Sequence, residues 1–320
     1  MQTFDRLVTV YGGSGFIGRH VVRALARRGF RIRVAVRRPD LAGHLQPLGA
    51  VGQISPVQAN LRYPDSVRHA AEGAEILINC VGILYEAGRQ KFDSVQGRGA
   101  ETVARAAADA GARMIHISAI GADADGGALY ARSKAAGEAG VLRQKPDAVI
   151  LRPSVVFGPE DGLFNRFAAL AQMSPVMPLI GGGETRFQPV FAGDVAEAVM
   201  AAVDGKAKAG TTYELGGPAV KSMKEIIEFV LATTGRRRPL MTLPFGLAAF
   251  QARFLQYIPN PPLTPDQVEL LKVDNVVSAG ATADGRTLQG LGIHPQSVEA
   301  IVPSYLWRFR RQGQFAEQTR

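Results

Sequence analysis

A single cysteine, Cys80, leaves this chain unable to close an internal disulfide. That excludes a small disulfide-stapled scaffold and fits a reducing compartment, so a cytoplasmic location is expected. No apolar run approaches the roughly 18 residues that a membrane span needs. Asp5 leads straight into an apolar strand, and no secretory signal is expected there. Aromatic residues make up only 7% of the chain and do not alternate with basic ones, so no nucleic-acid partner is expected. His20, His44, His69 and His294 lack metal-ligand spacing, and no cysteine pair accompanies them. His116 lies mid-strand and reads as a core histidine, so no metal is expected. Internal repeats and low-complexity tracts are also missing.

What is present is ordinary for a folded protein: 46% hydrophobic and 20% charged residues over 320 positions. A formal net charge of +9 suits an anionic ligand or an anionic surface. The most informative stretch is at the front. Arg6 to Tyr11 reads as a buried strand. Gly12-Gly13-Ser14-Gly15-Phe16-Ile17-Gly18 follows, and Val21, Val22 and Leu25 then recur at helical spacing. Strand, glycine turn and helix open a dinucleotide-binding unit. At Gly12, Gly15 and Gly18 a side chain would block the turn, the pyrophosphate or the helix–sheet contact. N–H groups of the first helical turn, from Ser14 through Gly18, would then face phosphate.

Further strands are predicted at 31–36, 54–59, 76–78, 114–117 and 148–151. Helices are predicted at 64–71, 101–110 and 130–143. Nearly continuous apolar strands alternating with helices predict a Rossmann-type, doubly wound parallel α/β sheet. The pattern changes after Pro153. Residues 1–155 are expected to form the nucleotide-binding domain, its sheet completed by parts of 186–216. Residues 156–320 are expected to form a smaller C-terminal lobe. In that lobe helices are expected at 192–203, with Asp194 and Glu197 as a capping box, and at 222–233. A strand is expected at 212–215, and irregular chain from Arg236 onward. Gly181-Gly182-Gly183 fits either a ligand mouth or a turn.

The second strand ends in Val36-Arg37-Arg38-Pro39, with no acidic residue to bind a ribose 2′-hydroxyl. Guanidinium groups suit a 2′-phosphate. NADP(H) is therefore the expected cofactor, held by Arg37 or Arg38 with Arg19 assisting; NAD(H) is the alternative. Tyr130 and Lys134 form a Y-x-x-x-K pattern that puts phenol and ammonium on one helix face. A tyrosine ordinarily ionises near about pH 10, and a nearby ammonium favours its phenolate. Tyr130 could then move a proton to or from a substrate oxygen steadied by Ser118, with Lys134 also against the cofactor.

These residues resemble the extended and atypical branches of the short-chain dehydrogenase/reductase superfamily over roughly residues 5–235. The resemblance rests on Gly12-x-x-Gly15-x-x-Gly18, Ser118, Tyr130-x-x-x-Lys134, Arg152 to Pro159 and Val190 to Ala196. It implies that Pro153, Ser154 and Val155 pass the nicotinamide. It also implies that Asn79-Cys80-Val81-Gly82 lies beside the cofactor riboses and Asn60-Leu61 beside the adenine. The stretches Arg152 to Asp161, Phe164 to Phe167, and Pro178 to Gly183 running into Arg186 to Val190 are similar to the NAD(P)H-binding accessory subunit of respiratory complex I and its bacterial relatives. That likeness implies a tightly held structural nucleotide, complex I or ubiquinone-related partners, and a place at the cytoplasmic face of the inner membrane. The alternative is a working NADP-dependent oxidoreductase or an epimerase/dehydratase-like enzyme using Tyr130, Lys134 and Ser118. Two departures stand out: Asn60 where relatives often carry Asp, and Gln96 where active relatives commonly carry Asn.

Two late segments mix apolar and basic residues. Phe245 to Ile258 is expected to pack within the smaller lobe. Tyr305 to Arg311 could cap that lobe or touch an anionic membrane surface.

Overall fold

The computed structural model describes residues 6–310; Asp5 and Arg311 lie outside them. Two compact units divide the chain. The first runs to Pro153 and takes up Ala192–Leu215 and Ser278–His294. The second holds Ser154–Phe191, Gly216–Val277 and the chain from Pro295. The first unit thus breaks off two residues before the expected boundary and recovers later segments.

In the first unit, β1 (Leu7–Tyr11), β2 (Arg31–Val36), β3 (Ile54–Gln58), β4 (Ile76–Asn79), β5 (Arg113–Ile117) and β6 (Val149–Pro153) alternate with helices. These are α1 (Phe16–Arg27), α2 (Pro64–Ala71), α3 (Arg98–Asp109) and α4 (Leu129–Gln144). The strand Thr212–Leu215 pairs with β6 and closes one edge. The sheet runs Thr212–Leu215, β6, β5, β4, β1, β2, β3, and every pairing is parallel. Val8, Val10, Ile32, Val34, Leu77, Ile78 and Ile150 are buried because helices cover both faces. Each such side chain stabilises by about 1.5–3 kcal/mol. On one face α1 packs against the helix Ala192–Val203; on the other α2, α3 and α4 pack in a row. Small residues set that second contact. A Cβ at Gly137 of α4 would collide with the carbonyl of Gln96, and one at Gly140 would stand 2.9 Å from Glu101 Cβ.

Several local expectations change. α3 begins three residues earlier than predicted, because a π-helical turn, Asp93–Gly97, feeds straight into it. Asp194 is no N-cap: the helix starts at Ala192, so Asp194 sits inside its first turn. True capping boxes occur at Ser222/Glu225 and Thr264/Gln267.

The second unit has its own core of Phe157, Phe164, Ile226, Ile227, Val302 and Leu306. Met177–Ile180 and Leu240–Leu243 pair in parallel across it. Gly181, Gly182 and Gly183 all take positive φ, which side chains resist, and form a tight turn. The region from Arg236, expected to be irregular, contains the strand Leu240–Leu243 and the helices Phe245–Leu255 and Pro265–Leu270. Pro244 starts the first of these helices without a side-chain cap, so the usual start signal was missing. The first late segment packs into the lobe through Ala248 and Ala252, as expected, and the described part of the second packs there as well. Tyr305 and Leu306 are buried, and Arg308 Nη2 donates to Asn165 Oδ1 at 2.6 Å. Phe250, Phe254 and Tyr257, by contrast, face water.

Candidate functional site

The strand order reverses between β1 and β4, and there the carboxyl ends of the strands open a cleft of about 330 Å³. Each strand delivers its next residues to the wall. Gly12, Ser14 and Gly15 come after β1, and Arg37 and Arg38 after β2. Asn60 and Leu61 follow β3, and Cys80, Val81 and Gly82 follow β4.

The glycine turn is tight for steric reasons. Gly12 holds φ +74°, and a Cβ there would stand 3.0 Å from Val81 Cγ2. A Cβ at Gly18 would run into Gly12 O and stand 2.7 Å from Gly13 Cα. Gly15 is the N-cap of α1 and no side chain caps the helix, so its first N–H groups, at Phe16, Ile17 and Gly18, are left for an anion. Phe16, Ile17 and Gly18 sit in that turn rather than in the cleft wall.

The two arginines that follow β2 differ. Arg38 is engaged with Asp40 (Nη2 to Oδ2 2.7 Å) on an exposed edge. Hydrogen bonding to Asp40 raises the pKa of Arg38, and the reciprocal bond lowers that of Asp40. Arg37 is exposed, and among the described residues its guanidinium has no hydrogen-bond or ion-pair partner. Sequence reasoning missed Arg62, which also lines the cleft, its Nε 3.4 Å from Asn60 Oδ1. Its position directly after Asn60-Leu61 was the available signal. Leu41, Ile83, Gln90 and Val95 were missed too, since they come from loops and short irregular helical turns with no motif. Arg19 folds back on the glycine turn, within 3.4 Å of the Gly15 and Ser14 carbonyls.

Behind Gly82 lies the polar group on α4. A Cβ built at Gly82 would stand 3.6 Å from Lys134 Nζ and 3.4 Å from Gln96 Oε1. Lys134 is 4% exposed, with Nζ 3.4 Å from the carbonyl of Ile117. Burial brings its pKa down to about 8, partly offset by Glu138 and Cys80. Nζ lies 5.8 Å from the centre of the Tyr130 ring, which meets Phe92 edge-on at 5.9 Å. Ser118 follows β5; its Oγ is buried and, among the described residues, has no hydrogen-bond partner. Burial pushes the Cys80 thiol up to about 12, which favours the protonated form over the reactive thiolate. His116 is buried and neutral, its pKa brought down to about 3 by burial and then by Lys134. Its Nδ1 takes a 3.2 Å contact from the Asn79 amide nitrogen, while Asn79 Oδ1 accepts from Val81 N–H at 3.1 Å. The pair shapes the turn after β4.

The helix carrying Tyr130 and Lys134 is clamped to the sheet. Arg152 of β6 meets Glu138 in a two-pronged ion pair (2.8 and 2.5 Å), one turn beyond Lys134. Pro153 ends β6. Ser154 and Val155 belong to the second unit, where both are committed to Asn275: Ser154 Oγ lies 2.7 Å and Val155 N 3.1 Å from its Oδ1. Among the described residues no cluster of His, Cys, Asp and Glu could hold a metal ion. No helix among them is long and apolar enough to cross a membrane.

Comparison with known proteins bears on this geometry. Residues 8–216 match the family model described as "NAD dependent epimerase/dehydratase family". The chain is 33% identical to an Arabidopsis thaliana protein, NADH dehydrogenase [ubiquinone] 1 alpha subcomplex subunit 9, mitochondrial. That match covers 96% of this chain and 79% of the relative. A ceramide reductase from Caulobacter vibrioides is 38% identical over 54% of each chain. In fold, the chain is similar to an NADPH-dependent quinone oxidoreductase from Escherichia coli complexed with NADPH. The TM-score is 0.72 at 18% identity, covering 93% of this chain and 99% of the other.

Proposed function

The chain belongs to the NAD dependent epimerase/dehydratase family, and on that footing we propose that it holds NADP(H) as a structural element. In this reading it serves as a complex I accessory-subunit-like protein, associated peripherally with an anionic membrane surface. The observation that carries the choice of nucleotide is the pairing of a glycine cradle with an unengaged guanidinium at Arg37, where the family's NAD users place an acid. The turn suits the dinucleotide: a Cβ at Gly12 would press on Val81 and one at Gly18 on the backbone of Gly12 and Gly13, so glycine there lets the turn close tightly beside the cleft. Gly12, Ser14, Gly15 and the first turn of α1 would hold the pyrophosphate. Arg37 would hold the 2′-phosphate, and Asn60 and Leu61 the adenine. A structural role is supported by Gln96, whose amide is spent on Ile83 N–H and Ser133 Oγ rather than left for a substrate. The subunit relative at 33% identity supports the same place in an assembly. The test is side-by-side fluorescence titration of NADPH and NADH, followed by native electrophoresis of membranes. Tighter NADH binding would overturn the nucleotide assignment. Migration apart from respiratory complexes would overturn the assembly role.

A second reading rests on the orphaned hydroxyl of Ser118. A bound nicotinamide supplies hydride exchange. Around it, Ser118 Oγ would donate to a substrate oxygen and Tyr130 would pass that oxygen a proton. Lys134, charged below about pH 8, would hold the phenol in place. The ceramide reductase relative makes a carbonyl substrate the one to try first. Substrate-dependent NADPH oxidation that disappears in Tyr130→Phe would establish this reading over the first.

A further inference from the structure

The helix Phe245–Leu255 carries its larger apolar face toward water. Ala248 and Ala252 point inward and pack with Leu243 and Val268. Leu247, Phe250 and Phe254 recur at helical spacing on the outside, and Tyr257 and Ile258 continue the row past the helix end. All five are between 49% and 82% exposed. Phe250 and Phe254 meet edge to face, with ring centres 5.3 Å apart, so the two rings form one exposed patch. Burial of the small residues explains the orientation: alanine at 248 and 252 lets the helix lie close to the helix Pro265–Leu270. The aromatics are left over.

Charge identifies what could cover them. From Phe229 to Pro265 the sequence holds Arg236, Arg237, Arg238 and Arg253 and not one Asp or Glu. Arg253 sits between the two phenylalanines, exposed, with no hydrogen-bond or ion-pair partner for its guanidinium among the described residues. Arg166 adds a cation, with Nη1 3.3 Å from Pro262 O. The nearest acids by sequence, Asp266 and Glu269, lie on the helix behind, and Glu269 is paired with Lys272 at 2.7 Å. Arg236 and Arg238 are spent on the carbonyls of Phe309 and Ala171, and the row itself holds no acid that a second copy could set against Arg253. A water–lipid boundary with negative headgroups suits it: rings at headgroup depth, guanidinium groups toward phosphate.

We propose that the row Leu247, Phe250, Phe254, Tyr257 and Ile258 seats this protein on an anionic lipid surface, with Arg253 contacting lipid phosphate. The proposal rests on the peripheral placement suggested above and names the surface responsible for it.

The test is flotation of the full chain with two kinds of vesicle: phosphatidylcholine alone, and equal parts phosphatidylcholine and phosphatidylglycerol. The wild type should float with the mixed vesicles and much less with the neutral ones, and rising salt should release it. Phe250→Ser/Phe254→Ser should lower the bound fraction at least about tenfold, and Arg253→Glu by a smaller factor. Melting curves and NADPH titration of the same samples confirm folding and report the nucleotide reading separately. Wild type that binds NADPH yet fails to float overturns the lipid surface alone. So does a double variant that floats as well as wild type. A wild type that sediments as a dimer without lipid, and a double variant that sediments as a monomer, would assign the row to a second copy and overturn the proposal.

Discussion

Gln96 bridges two walls of the site: its Nε2 donates to Ser133 Oγ at 3.0 Å while its Oε1 accepts Ile83 N–H at 3.2 Å. Ser133 in turn donates to the carbonyl of Tyr130 at 2.8 Å. One buried amide therefore ties the loop after β4 to Ser133, on the helix that bears Tyr130 and Lys134. The π-helical turn Asp93–Gly97 presents Gln96 at that point.

Gln96→Leu should strand the Ile83 N–H in a partly buried setting, while Ser133 keeps its bond to the Tyr130 carbonyl. The expected cost is about 1–3 kcal/mol, read by urea denaturation. NADPH affinity should fall with it, because the Val81–Gly82 wall loses its anchor. Unchanged stability would show that water replaces the amide.

Arg37→Glu should weaken NADPH by about 10- to 100-fold, the loss of a charge-assisted contact, and leave NADH nearly unchanged. Arg38→Ala should matter less, because Asp40 already engages Arg38. Asp40→Asn would release Arg38 and remove a negative charge, so it should tighten NADPH. Parallel titrations of the three variants with both nucleotides check these outcomes.

Gly18→Ala places a methyl group against Gly12 O and Gly13 Cα, both backbone atoms that cannot swing aside. Destabilisation of about 1–3 kcal/mol is expected, together with loss of nucleotide, seen as a lower Tm that added NADPH no longer raises.

Lys134 titrates at about 8 in the fold and near its ordinary value of 10.5 when unfolded. Below about pH 8 both states keep the proton, and the cost of burying the ammonium is fully present. Between the two values the unfolded chain holds more protons, so this lysine's contribution to stability improves as pH rises. Lys134→Met should therefore be more stable than wild type at neutral pH, with the gap closing toward about pH 10. Denaturation curves at both pH values would show it. A gap that widens with pH would contradict the assignment.

The sequence made the sheet legible because its strands are buried on both faces and read as apolar runs, from Leu7–Tyr11 to Val149–Pro153. The glycine turn and the Tyr130/Lys134 spacing were equally local. Three things were not. Arg62 and Gln90 reach the cleft from loops, and Val95 from the π-helical turn, whose course depends on tertiary packing. The engagement of Arg38 by Asp40 distinguishes two adjacent arginines that look alike in one dimension. The outward turn of Phe250 and Phe254 inverts the usual rule that large apolar residues go inside, and only alanine packing at 248 and 252 reveals it.

The first unit closes its sheet with Thr212–Leu215 and adds the late stretch Ser278–His294. Glu214 N–H donates to Arg286 O at 2.9 Å, and Ser278 N–H to Glu214 Oε2 at 2.7 Å. During synthesis the edge of β6 must stay unsatisfied while some sixty further residues leave the ribosome, and the seam holding its partner strand waits for nearly the whole chain. A gene cut after residue 155 would therefore yield a sheet with an open, sticky border instead of a free-standing nucleotide domain.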